Sequence, residues 1–145
     1  KDGKIYYGNP NNGFVGDMYN FSENGLGVYH KPIYGLLDQY MPGRAIDITG
    51  SDFENVLFFI NNGIPAWVII NSTYKPLPDN MFETWQTGDG EISVTNKEHS
   101  VLVTGYDENY IYFNDPLGYQ SHAPRQEFED AWRQMGSQAV TVSGN

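Results

Sequence analysis

The sequence predicts an α+β fold in which helices pack on a mainly antiparallel sheet. Three stretches have apolar residues at helical spacing, and several short runs rich in β-branched and aromatic residues are typical of strands. Two of these runs are joined only through Tyr106-Asp107-Glu108-Asn109, a connection short enough for a hairpin, so this part of the sheet is antiparallel. At 145 residues the chain fits one domain, and we expect residues 1–145 to form it.

The elements of the first half are predicted from the spacing of apolar residues and from residues that are typical of turns and helix starts. A stretch rich in Gly and Asn, without a sustained period, indicates an ordered loop pinned by aromatic side chains. Apolar residues at helical spacing follow Pro32, and again Ser51, which has Glu54 at the spacing of a capping box. In chain order, the predicted elements are a loop over residues 1–31, a helix over 32–40, a strand over 44–49, a helix over 52–61 and a central strand over 66–71.

The second half opens with a turn-rich stretch over residues 72–96. We expect it to be an insertion that contains Trp85 and borders whatever site exists. After it, β-rich stretches surround one helix, in which Phe128, Ala131 and Trp132 recur at helical spacing. In chain order, these elements are strands over 98–105 and 110–114, a helix over 124–135 and a strand over 137–142.

Composition excludes several classes of function. The chain has 8 Lys and Arg against 18 Asp and Glu, a net charge of −10, so we expect no nucleic-acid partner. No stretch approaches the roughly 20 apolar residues of a spanning helix, so we expect no membrane insertion. The sequence contains no cysteine, which excludes disulfides, Cys-bound zinc and any thiol nucleophile within this chain. The oligomeric state does not follow from the sequence.

His99 is the histidine best placed for chemistry. It begins an apolar strand, and the strand after the hairpin ends in Asn114-Asp115-Pro116. Because positions equidistant from a hairpin turn are cross-strand neighbours, His99 and Asp115 should reach the same end of adjacent strands. Such a pair can be the base and orienting acid of a nucleophilic triad, or it can be purely structural.

The other candidate side chains give weaker signals. We expect His30 to be a surface or packing residue of the N-terminal loop and His122 to lie at the entry of the last helix. Trp67 and Trp85 are candidates for lining a substrate-binding groove, with a role in the core as the alternative reading.

A metal-dependent hydrolase that uses His99, Asp115 and His30 is a further reading. Their spacing matches no recognisable ligand set, so we expect neither a metal nor another cofactor.

The block EHSVLVTGYD, residues 98–107, followed by YIYFNDPLG, residues 110–118, resembles family thirty-nine of the cysteine peptidases. The similarity is to a stand-alone bacterial branch called peptidase-like, and it extends to the helix around Phe128 and Trp132. Further similar segments are residues 9–16, 29–33 and 61–68. The resemblance implies a papain-like fold, His99 as general base, Asp115 as orienting acid, and a peptide or protein substrate.

The family's nucleophilic Cys lies at the start of an N-terminal helix, with an oxyanion-hole Gln shortly before it, and this chain begins downstream of both. We therefore expect the C-terminal part of a bacterial papain-like cysteine peptidase, truncated at its N-terminus and catalytically incomplete as given. The alternative is a noncatalytic cell-surface module of the same fold that binds a peptide or glycan. The acidic charge and the resemblance to often-secreted bacterial proteins predict an exported or cell-surface location.

Overall fold

The structure is a computed structural model that describes residues 5–15 and 27–144. Over these residues, three α-helices pack on a six-stranded antiparallel sheet beside a separate two-stranded ribbon, which confirms the predicted α+β class. None of these helices is long and apolar enough to cross a membrane. In chain order, the elements are α1 (His30–Tyr40), β1 (Ala45–Asp47), α2 (Phe53–Asn61), β2 (Ala66–Asn71), β3 (Glu83–Thr87), β4 (Gly90–Val94), β5 (Glu98–Tyr106), β6 (Tyr110–Asn114), β7 (His122–Pro124), α3 (Arg125–Gln134) and β8 (Ala139–Val142).

The six-stranded sheet has the strand order β1-β8-β2-β5-β6-β7, and each neighbouring pair is antiparallel. Strand β2 lies in the middle, as its continuous apolar run predicts, and its residues from Val68 to Asn71 are buried. One face of the sheet is covered by α2 and α3, whose aromatic side chains form the core. There, the ring of Phe53 packs edge-on against that of Trp132, with centroids 5.0 Å apart.

Two predicted helix starts differ from the observed ones. The prediction of a capping box is wrong. Asp52 is the N-cap of α2 and its side chain makes no capping hydrogen bond, and Ser51 lies one residue too early to be the N-cap. Helix α1 begins at His30, two residues before Pro32. The first N–H groups of a helix have no partner within it, so a proline is tolerated at any position of the first turn.

The turn-rich stretch before β5 contains an element that the sequence analysis missed. Strands β3 and β4 form a ribbon with a two-residue turn, and Trp85 is buried in it, stacked on Tyr7 with ring centroids 4.1 Å apart. The polar residues of β3 and the flanking prolines hide this strand from a pattern of apolar alternation. Strand β7 was also missed because it has only three residues and ends in Pro124, which an edge strand tolerates.

Candidate functional site

His99 and Asp115 meet at one end of the six-stranded sheet. His99 lies in β5 on the face that carries the buried Val101 and Val103, and Asp115 directly follows β6. Their side chains are in contact, with 2.9 Å between Nε2 of His99 and Oδ1 of Asp115. The imidazole is 9% exposed and the carboxylate is fully buried.

The two residues are diagonal rather than directly opposite. Leu102 pairs with Asn114, so Asp115 leaves the sheet two positions from His99 along the same face. A bulge nearer the hairpin turn shifts the register between the two strands. Counting residues from the hairpin turn therefore predicts that His99 and Asp115 reach the same end of the sheet. It does not predict which residues lie directly opposite each other.

Two further donors fix the carboxylate of Asp115. The hydroxyl of Tyr74 donates to Oδ2, and the backbone N–H of Leu117 donates to Oδ1 over 2.8 Å. Burial raises the pKa of Asp115, but hydrogen bonds from Tyr74, Leu117 and His99 outweigh it and hold the pKa below its usual range. Asp115 is therefore charged at neutral pH.

The charge on Asp115 determines which nitrogen of a neutral His99 carries the proton. A carboxylate only accepts hydrogen bonds, so Nε2 of His99 must be the donor, and Nδ1 keeps a free lone pair. Nδ1 makes no hydrogen bond with the residues that the structure describes. Within the part of the chain that the structure describes, the ring is thus held through Nε2 alone.

Tyr74 is a site residue that the sequence analysis did not find. Its side chain is 2% exposed and its ring is stacked on that of Phe113, with centroids 5.0 Å apart. Its backbone has a φ of 57°, in the left-handed region that non-glycine residues rarely adopt. The side chain of Asn71 supports this turn by donating to the carbonyl of Lys75 over 2.9 Å. A lone tyrosine among turn residues offers no sequence signal for such a role.

The protonation state of Tyr74 suits its contact with Asp115. Burial, the hydrogen bond to Asp115 and the charge of that carboxylate all raise the pKa of Tyr74 above its ordinary value. The phenol therefore keeps its proton and remains a donor across the physiological pH range.

A cavity of about 580 Å³ lies beside Asp115, formed mainly by the loop between β6 and β7. Tyr119 projects from this loop with 64% of its surface exposed, and its ring centroid is 6.0 Å from that of His99. The lining residues are Phe113, Asn114, Asp115, Gly118, Tyr119, Gln120 and Ser121.

The other two histidines lie apart from this pair. His30 is the first residue of α1 and not a loop residue as expected, and its Nδ1 is 2.6 Å from Oδ2 of Asp47 in β1. His122 lies in the short strand β7 and not at a helix entry as expected, with its ring near that of Tyr110. Across residues 5–15 and 27–144, no three His, Asp or Glu side chains are grouped to hold a metal ion. His30 therefore does not join His99 and Asp115 in a ligand set.

Neither tryptophan candidate lines the cavity beside Asp115. Trp67 lies on the opposite face of the sheet from His99, since it is three residues from Ile70, the partner of His99 in β2. Trp85 lies in the ribbon, where its indole N–H donates to Glu83 over 3.1 Å. A substrate-binding role for either tryptophan stays a prediction without a contact to the site.

The fold is that of the papain-like peptidases, and the chain belongs to the peptidase C39-like family, whose model matches residues 3–140. It is 50% identical to the uncharacterized protein YvpB of Bacillus subtilis (strain 168) over 136 residues, which are 93% of this chain and 53% of YvpB. The chain thus spans about half the length of this relative.

A solved structure supports the same fold. The crystal structure of a Bacillus anthracis protein, assigned by its description to the C39-like peptidases, superposes with a TM-score of 0.93 at 44% sequence identity. The match covers 100% of this chain and 72% of that one. The predicted papain-like fold is therefore confirmed.

Proposed function

We propose that this chain supplies the general base and the orienting acid of a bacterial papain-like cysteine peptidase. The observation that carries the proposal is the contact of His99 with the charged, fully buried carboxylate of Asp115. With its proton held on Nε2, the imidazole presents a lone pair at Nδ1, which is what the base of a nucleophilic triad needs. Family membership supports the proposal independently of this geometry.

The nucleophile in this proposal is a cysteine outside the given sequence, because the given sequence contains none. The matched relatives contain residues beyond those that align with this chain, and such residues could carry it. His99 takes the thiol proton, and the thiolate attacks a peptide carbonyl. His99 then returns the proton to the leaving amine, and water releases the acyl group from sulfur. Asp115 holds the ring throughout.

Peptide hydrolysis by the longer protein that contains this chain tests the proposal. We expect a mixture of unmodified peptides to be cleaved, and iodoacetamide to stop the cleavage. His99→Ala should abolish cleavage. Asp115→Asn should leave a residual rate, about 10⁴-fold below that of the wild type, because the ring loses its fixed tautomer. His122→Ala is the matched control, since this histidine is exposed and lies outside the site.

Two results would count against the proposal. Full activity of His99→Ala, or cleavage that is insensitive to iodoacetamide, would remove the imidazole or the thiol from the mechanism. Peptide binding without any thiol-dependent cleavage would favour the noncatalytic module instead.

A further inference from the structure

A second cavity, of about 620 Å³, lies at the opposite end of the sheet from His99. Ile64, which precedes β2, contributes to it, whereas His99 pairs with Ile70 near the far end of that strand. The cavity is bounded by the edge strand β1, the end of α2 and the segment after β8. Its lining residues are Arg44, Ile46, Phe58, Phe59, Asn62, Ile64, Ser143 and Gly144.

The walls of this cavity are largely apolar. Phe58 and Phe59 lie edge to face with ring centroids 5.7 Å apart, and Ile46 and Ile64 add aliphatic surface. Phe58 is 62% exposed although it is a large apolar side chain. An apolar group that entered the cavity would remove part of this aromatic surface from water.

Arg44 adds a positive charge that has no counter-ion among the described residues. Its Nη2 donates to the carbonyl of Ser143 over 2.9 Å, but its Nε is buried and has no hydrogen-bond partner within residues 5–15 and 27–144. No described carboxylate forms an ion pair with Arg44, and no acidic residue lines the cavity. A guanidinium cannot lose its proton, and an unsatisfied buried donor is costly, so the site suits an anion attached to an apolar body.

The edge of β1 adds main-chain groups to the same place. Arg44 and Ile48 use their backbone to bond β8, so the N–H and C=O groups of the intervening alternate residues, Ala45 and Asp47, point to the outer edge. No strand of the described chain pairs with that edge. An extended peptide can add to such an edge through its own backbone, which a simple organic acid cannot do.

We propose that this cavity binds the free C-terminal carboxylate of a peptide whose last residue is apolar. The carboxylate bonds to the guanidinium of Arg44, the last side chain packs against Phe58, and the preceding backbone adds to β1. The site lies apart from His99 and needs no cysteine, so peptide binding to it can be measured separately from hydrolysis.

Fluorescence polarisation with a labelled hexapeptide, Gly-Ser-Gly-Ser-Gly-Phe with a free carboxylate, tests the proposal. We expect saturable binding, at least tenfold weaker for the C-terminally amidated peptide, and similarly weaker for Arg44→Gln. Phe58→Ala should also weaken binding. Arg133→Gln is the matched control, because Arg133 is exposed and already paired with Asp130. Unlabelled 3-phenylpropionate should compete only at much higher concentration.

Several outcomes would overturn the proposal. These are equal binding of the acid and the amide, unchanged binding by a folded Arg44→Gln variant, or no saturable binding below roughly 1 mM. Competition by 3-phenylpropionate as strong as that by the peptide would overturn the role of β1. If Arg44→Gln does not fold, NMR of the unmodified chain decides. The largest shifts on peptide addition must then fall on Arg44 Nε–H and the backbone amides of Ala45 and Asp47, and their absence there overturns the proposal.

Discussion

Replacing Tyr74 by Phe removes one hydroxyl from the buried surroundings of Asp115 and leaves the ring. The ring of Tyr74 stacks on Phe113, and a phenylalanine can keep that contact. What is lost is the hydrogen bond to Oδ2 of a fully buried carboxylate. We therefore expect a loss of stability that comes almost entirely from one hydrogen bond.

The expected loss is about 1.5–3 kcal/mol, the range for a hydrogen bond to a charged group. Tyr112→Phe is the matched control. It removes the same hydroxyl from a 2.6 Å hydrogen bond to a carboxylate, that of Asp107, but on the exposed surface. Water can replace the lost donor there, so we expect the control to lose much less stability than Tyr74→Phe. Urea unfolding at pH 7 measures both values.

The pH dependence of these stability losses gives a second test, because the direction of the change with pH can be predicted. Because the pKa of Asp115 is lowered in the folded protein, its contribution to stability is present above its unfolded pKa and lost as the pH falls through the folded one. The difference between the wild type and Tyr74→Phe should therefore shrink below about pH 4. Equal losses for Tyr74→Phe and Tyr112→Phe, or a difference independent of pH, would refute the reasoning.

Two further predictions concern titration and the tautomer. Burial raises the pKa of Glu98 to about 8, so the folded protein holds this proton longer than the unfolded chain. Stability should fall as the pH rises from about 4.5 to about 8. Glu98→Gln should remove this fall, whereas the exposed Glu108→Gln should keep it. Urea unfolding across this pH range measures the profiles, and identical profiles for the two variants would contradict the prediction. In ¹⁵N NMR spectra, neutral His99 should carry its proton on Nε2, and a proton on Nδ1 would contradict the orientation by Asp115.

Much of the fold follows from local pattern, and the exceptions have physical causes. Strand β2 is predicted at the correct residues because its unbroken apolar run has few alternatives. The sequence does not predict the ribbon of β3 and β4, because its strands are polar and its buried tryptophan packs against a distant residue, Tyr7. The local pattern around Tyr7 does not show that its ring will pack on a tryptophan far along the chain.

The site was predictable only in part. The hairpin connection places His99 and Asp115 at one end of the sheet, and the structure brings them into contact. The bulge in the hairpin, which moves the partner position, leaves no mark in the sequence that counting can use. Tyr74 reaches Asp115 from a separate turn with an unusual backbone, and such a contact exists only in the folded chain.

The proposed role of His99 is tested most directly by the reactivity of the cysteine it would activate. In the longer protein, the rate of alkylation of that cysteine by iodoacetamide is measured as a function of pH, for the wild type and for His99→Ala. We predict rapid alkylation of the wild type near pH 6, well below the ordinary thiol pKa of about 8.5, and a shift of the profile to about 8.5 in His99→Ala. Identical profiles in the two proteins, or a longer protein without such a cysteine, would contradict the proposal.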